Sequence, residues 1–429
     1  MIRLTISKQT LIDGYVVLSL FLIPSSFLGL VSFRAFYIPG LFDLRLLSWL
    51  LALPLLLIYG HKLRAISKTT SGKILILVVL FIIIRFVISL AQGIPFKEAF
   101  TVFRMGFNTP ISCIAYICFF YSIENNRTER IFKWGFTLFA ISLILYFLNY
   151  LGLGIFDNIK DVTEETQGGI TITRNLTGFP VYFHLFFLIG FYLVLNSWGI
   201  KYLFITLFSL FVIYISATRS SIIIYSVIVI LITSFYIFKY NAGYFKRTIL
   251  LILATGLFIV LIISLKSDVY QFLKVKFEST VNVELKEDKG TYAYRKRLIE
   301  TSVEDNRLTN SLFFGKGYTR EGKKGSYKFV LGGDTMVAPV IFCEGFLGLT
   351  VRVLPIFYFL LFAVRNFRQT GLPQFVGISI FAVIVSSAIA YVQTSIFYNY
   401  IDFILFFYVA QRYLENQDDF ISDYDYSKT

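Results

Sequence analysis

The stretch ILILVVLFIIIRFVISLAQ (74–92) carries one charge, Arg85, in an aliphatic run long enough to cross roughly 30 Å of hydrocarbon as a helix. Similar runs recur along the chain. They lie near 11–33, 43–59, 74–92, 102–121, 131–151, 179–196, 202–217, 221–238, 248–265, 336–364, 373–391 and 396–412, about twelve in all. The composition agrees: of 429 residues 56% are apolar, 18% aromatic and 15% charged, whereas soluble proteins carry about 25% charged residues. A mean hydropathy of +0.71 leaves too little polar surface to coat several soluble domains. The expected fold is therefore an all-α polytopic membrane protein.

Several function classes drop out at this level. Cys113, Cys118 and Cys343 all sit inside apolar runs, and His61 and His184 are far apart, so the sequence offers neither a disulfide framework nor a metal site. The net charge of +14 would point to nucleic acid in a soluble protein; in a membrane protein, basic residues first orient the loops. Although Arg3 and Lys8 precede the first run, it is too long for a signal peptide and no small-residue cleavage site follows, so it should remain as an anchor.

Counting Lys and Arg in short loops on alternate sides assigns the orientation. One side receives Arg3, Lys8, Lys62, Arg64, Lys68, Lys73, Arg127, Arg130, Lys133, Lys201, Lys239, Lys246, Arg247, Arg365 and Arg368. The other receives Arg34, Arg45, Lys97, Arg104, Lys160, Arg174 and Arg219. The first side is expected to be cytoplasmic, with both termini there. The chain then divides into spans one to nine (1–265), an external segment (266–335), spans ten to twelve (336–412) and an acidic cytoplasmic tail (413–429). The external segment has helical patterns at 268–278 and 293–306, which predict a small cap, with a solvated loop as the alternative.

Arg85 sits within the third span, and Glu344 and Arg352 within the tenth. Charges at such depth are costly unless they face a bundle interior or water, and they point to function by default. Glu344 and Arg352 are two helical turns apart and share a face; a purely structural pair, or an arginine reaching for the surface, is the alternative. Pro355 is expected to bend the same helix. On the external side arginine outnumbers lysine in the short loops, and guanidinium forks onto phosphate or carboxylate oxygens. An anionic lipid-linked ligand fits that pattern, while Arg34 and Arg45 read as headgroup contacts.

Four stretches resemble the superfamily of O-antigen polymerases and O-antigen ligases. TITRNLTGFPVYFHLFF (171–187) is similar to a family element of Arg, Gly-Phe and Pro opening a span, with Gly178 and Pro180 shifted. ISATRSSIIIY (215–225) is similar to the Ser-x-Ser-Arg turn and puts Arg219 at the arginine. YRKRLIETSVEDNRLTNSLFFGKGY (294–318) resembles an Arg followed at a distance by Gly-x-Gly, which selects Arg297 with Gly315 and Gly317, Arg295 being second choice. GGDTMVAPVIFCEGFLGL (332–349) resembles a polar residue opening a helix that carries Glu-Gly-x-x-Gly.

The resemblance implies a GT-C-like membrane glycosyltransferase acting on undecaprenyl-diphosphate-linked oligosaccharide at the outer face of the bacterial inner membrane. Ligases of the superfamily carry a histidine where this sequence has Asp334, which favours a polymerase; a lipid-linked oligosaccharide flippase and a ligase are the alternatives. The product would be O-antigen of lipopolysaccharide, capsule or exopolysaccharide. By this resemblance Arg219, Arg297 and Asp334 are catalytic, Asp334 serving as base or helix cap or both. Arg174, Arg295, Arg104, Arg85, Glu344 and Arg352 bind substrate. No metal and no cofactor are expected. Membrane lipid, a flippase and a chain-length regulator are the partners it allows; nucleic acid is not among them.

Overall fold

The structure is a computed structural model. It describes residues 7–22, 48–148, 162–167, 169–175, 183–197, 200–215, 219–239, 267–279, 291–319, 337–369 and 371–389, with Asn282 and scattered helical residues within 249–264. The chain is mostly helical. Ser7 accepts from the Thr10 amide to open α1 (Lys8–Val17), which passes into a π turn at Leu18–Leu22. Then come α2 (Ser48–Tyr59), the short α3 (Leu63–Ile66), α4 (Thr70–Ala91), α5 (Phe96–Phe120) and α6 (Asn125–Leu148). Thr69 caps α4 by accepting from Gly72 N at 3.1 Å, which satisfies an amide the helix cannot.

Beyond α6 lie β1 (Val162–Gln167) and β2 (Ile170–Asn175), then α7 (Phe183–Ser197), α8 (Ile200–Ile215) and α9 (Arg219–Lys239). The rest comprises α10 (Ser267–Ser279), α11 (Thr291–Leu308), α12 (Val337–Asn366) and α13 (Leu372–Ile389). The helical patterns read in the external segment are thus α10 and α11. The antiparallel hairpin β1–β2 departs from the all-α expectation; Thr163 stands opposite Arg174, and Gly169 takes φ +77° in the connection. Its signal was present: Gly168-Gly169 between β-branched runs is a hairpin pattern.

Among the described residues α4 and α12 are long and apolar enough to cross a membrane, and α5, bent by 45° between Arg104 and Gly106, would add a third. Shorter apolar helices occupy Leu185–Leu195, Ile200–Tyr214, Ile222–Phe238 and Leu372–Ser386. The predicted run 248–265 is described only at scattered helical residues, and the run 396–412 and the tail 413–429 lie outside the described residues. On α4, Leu77, Leu80, Ile84 and Val87 are exposed together, a face that fits lipid contact better than water.

Two packing features position the site. α12 is flanked by α4, α11 and α13, and α4 in turn packs on α5 and α5 on α2. Separately, α10 packs against the hairpin, where Phe272 and Leu273 meet Ile170 of β2, Tyr214 at the end of α8 and Ile222 in the first turn of α9. The elements carrying Arg174 and Arg219 therefore converge on α10.

Candidate functional site at a broken helix

Gly345 interrupts α12 with φ 68° and ψ −165°, a conformation essentially restricted to glycine. A break inside an apolar helix leaves amides and carbonyls without partners, and in a membrane these must be satisfied by protein. Here they are. Ile341 O accepts from Asn306 Nδ2 at 2.5 Å, Phe342 O from Lys316 N at 2.9 Å, and Cys343 O from both Gly317 N at 3.0 Å and Arg85 Nη2 at 2.9 Å. On the far side of the break, Phe346 N donates to Leu312 O at 3.1 Å and Leu347 N to Phe313 O at 3.0 Å.

The donors and acceptors come mainly from residues 311–319, a strap that follows α11 and crosses the break. Its glycines are required by space. Gly315 (φ +69°) lies so close that a Cβ would sit 2.4 Å from Cys343 C, and one on Gly317 (φ +88°) would sit 2.6 Å from Gln92 Oε1. The far end of the strap is tied to α4 and α5: Tyr318 N donates to Ser89 Oγ at 2.8 Å and Thr319 Oγ1 to Glu98 Oε1 at 2.6 Å.

Beneath the strap lies a charged cluster. Arg352 donates from Nη2 to Glu344 Oε1 at 2.7 Å and from Nε to Oε2 at 3.2 Å, and Tyr318 Oη donates to Oε1 at 2.9 Å. Glu344, Arg352 and Arg85 are only 3%, 5% and 3% exposed. Burial first, then the nearby Glu344 carboxylate, pushes the Tyr318 phenol well above its usual range, so it remains a donor. Gly348 gives the Glu344 side chain room to lie along the helix, since a Cβ would come within 2.8 Å of Oε2. Gly106 of α5 does the same for Arg352, whose Nη2 would be 2.8 Å from a Cβ there.

The expected neighbourhood of Glu344 and Arg352 is therefore a direct ion pair, and Arg85 joins it through the carbonyl of Cys343. The cluster thus holds two guanidinium groups and one carboxylate, all buried. Held by Arg352 on its own helix and by Tyr318 of the strap, Glu344 locks strap and helix together. Pro355 also lies within this helix; the non-helical residue is Gly345, where the strap supplies replacements for several lost bonds.

The other predicted residues divide. Arg104 is half-buried beside the bend in α5, and its Nε finds no partner among the described residues. Arg297 is exposed on α11 and Arg295 half-buried. Arg174 lies in β2 and Arg219 opens α9, in elements joined through α10 rather than at the broken helix. Asp334, with Gly332 and Gly333, lies outside the described residues.

Sequence reasoning missed Asn306, Lys316 and Tyr318, whose partners are distant in the chain. It also missed Asp13, fully buried in α1, which receives Arg127 Nη2 at 2.7 Å and Arg130 Nη2, so two charges counted only for orientation are an internal staple. The signal for Asp13 was a carboxylate within an apolar run. Comparison with known protein families, with curated proteins and with solved structures finds no match.

Proposed function

We propose that the chain is a polysaccharide polymerase: a glycosyltransferase of about twelve spans in the bacterial inner membrane, with both termini cytoplasmic, that joins undecaprenyl-diphosphate-linked repeat units at the outer face. The observation that carries the reading is the union of two of the family-like stretches. Gly315 packs directly on the Glu344-Gly345 break, Gly317 packs on the end of α4 and donates its amide to Cys343 O beside the break, and all four glycines of the two motifs have steric reasons to be glycine. Stretches chosen for their resemblance thus behave as one unit, although they lie far apart in the sequence.

The chemistry follows from the charges. The acceptor sugar hydroxyl forms a bond to the anomeric carbon of the donor glycan, the bond from that carbon to the diphosphate oxygen breaks, and the electron pair leaves with the carrier diphosphate. Arg219 and Arg297, with Arg174 and Arg295 in support, neutralise that developing charge; fixed guanidinium groups in a water-poor site are effective at this. Asp334 takes the hydroxyl proton. Arg85, Glu344 and Arg352 hold the strap at the broken helix, and Arg104 stands beside the bend in α5.

Purified protein in proteoliposomes, given polyprenyl-diphosphate-linked repeat units, tests the reading. A ladder of longer glycans on carrier lipid is the expected product. Unchanged substrate that has moved between leaflets would make the chain a flippase, and transfer to a lipid A-core acceptor would make it a ligase.

A further inference from the structure

The strap is unusual in what it leaves exposed. Phe313 and Phe314 pack edge to face, with centroids 4.9 Å apart, yet remain 57% and 56% exposed. The lysine within the strap points the other way: Lys316 reaches inward to Asp305, lies 5.1 Å over the Phe342 ring and is only 11% exposed at its side chain. A loop lying in water would show the reverse arrangement, with the ammonium solvated and the rings covered. Below the pair, α12 presents Phe346, Leu354, Phe357, Leu361 and Val364 as exposed residues spaced by about one or two helical turns, a single apolar stripe on a helix long and apolar enough to span a bilayer. The strap meets the top of this stripe, because Leu312 O and Phe313 O accept from Phe346 N and Leu347 N.

Length fixes the depth. The part of α12 after the break, from Phe346 to Asn366, rises about 30 Å, the thickness of the hydrocarbon core, so Gly345 and the strap lie at its cap-side boundary. We propose that Phe313 and Phe314 insert into the cap-side leaflet, so that the strap is a re-entrant interfacial anchor whose partner is phospholipid acyl chain. The tip of the cap is held in the bilayer by the same segment that seals the broken helix. This rests on the membrane character of α12 and is independent of any catalytic activity.

Nitroxide side chains report the environment directly. Phe314→Cys and, separately, Phe313→Cys are labelled in full-length protein reconstituted in phosphatidylcholine vesicles; the native Cys113, Cys118 and Cys343 are buried. Collision with oxygen, which concentrates in lipid, is compared with collision with a water-soluble nickel chelate. Phe357→Cys serves as the lipid reference and Glu304→Cys, exposed on α11, as the aqueous one. The expected result is an oxygen-to-nickel ratio at 313 and 314 several-fold above that at 304 and approaching that at 357. A ratio at both positions equal to that at 304 would put the pair in water and overturn the proposal. Low collision with both reagents would mean that protein covers it, and would overturn it equally.

Discussion

Replacing Gly345 by alanine places a β-carbon where the structure has no room. The residue's φ of 68° with ψ of −165° is costly for any side chain, about 1–3 kcal/mol. The new carbon would stand 2.3 Å from Phe313 O and 2.5 Å from Gly315 N, so the strap must retreat. Retreat loosens the bonds from Phe346 N and Leu347 N to the strap, at about 1 kcal/mol each. The sum is about 3–5 kcal/mol, at least a hundredfold, roughly, in the folded-to-unfolded ratio. Thermal unfolding of detergent-solubilised protein, followed by size-exclusion chromatography of the heated sample, reads this as a clear fall in melting temperature. Gly14→Ala is the control: Gly14 is inside α1 with nothing within 4 Å of its Cβ position, and alanine there should gain about 0.5–1 kcal/mol. If Gly345→Ala melts with the parent, the strap does not seal the helix as described.

Glu344→Gln removes the carboxylate from Arg352 and should cost about 3–5 kcal/mol of stability, much of it regained when Arg352→Met is added, as thermal melts of single and double variants will show. Asp334→Asn should insert and fold normally but lose about a hundredfold or more in polymerisation rate, since asparagine caps a helix as well as aspartate and cannot take a proton; a parental rate at matched membrane levels would remove Asp334 from the chemistry. Cysteines at Ser279 and Ser326 should react with a membrane-impermeant thiol reagent in intact spheroplasts while one at Ser67 does not, and reversed labelling would invert the protein.

The positions of the helices were legible because apolar runs of spanning length are hard to mistake, and α4, α5 and α12 fall where such runs were read. Arg85, Glu344 and Arg352 stood out as charges at depth, and their mutual burial follows from the cost of leaving any of them unpaired. What periodicity could not convey was the supply of partners from elsewhere in the chain. Tyr318 and Asn306 look like ordinary polar residues until the strap brings them to Glu344 and Ile341 O. The break at Gly345 was hidden for the same reason, because the glycine departs from the helix where 311–319 can replace the lost bonds. Spacing selected Arg297 but does not say which face of α11 it occupies, and there it is exposed. The hairpin went unread because the apolar runs set the expectation of an all-helical chain, although Gly168-Gly169 marked its turn.

The most direct measurement of the central claim is polymer formation by Arg219→Ala beside the parent, with carrier-linked repeat units as substrate and membrane levels matched. Arg219 opens α9 at the corner that meets α10 and the hairpin. The proposed mechanism gives its guanidinium the carrier diphosphate, and alanine could not make the forked contact that role requires. The expected result is loss of the glycan ladder by Arg219→Ala, with partial recovery by Arg219→Lys, whose single ammonium cannot fork. Full-length polymer from Arg219→Ala would contradict the diphosphate assignment and the polymerase mechanism built on it.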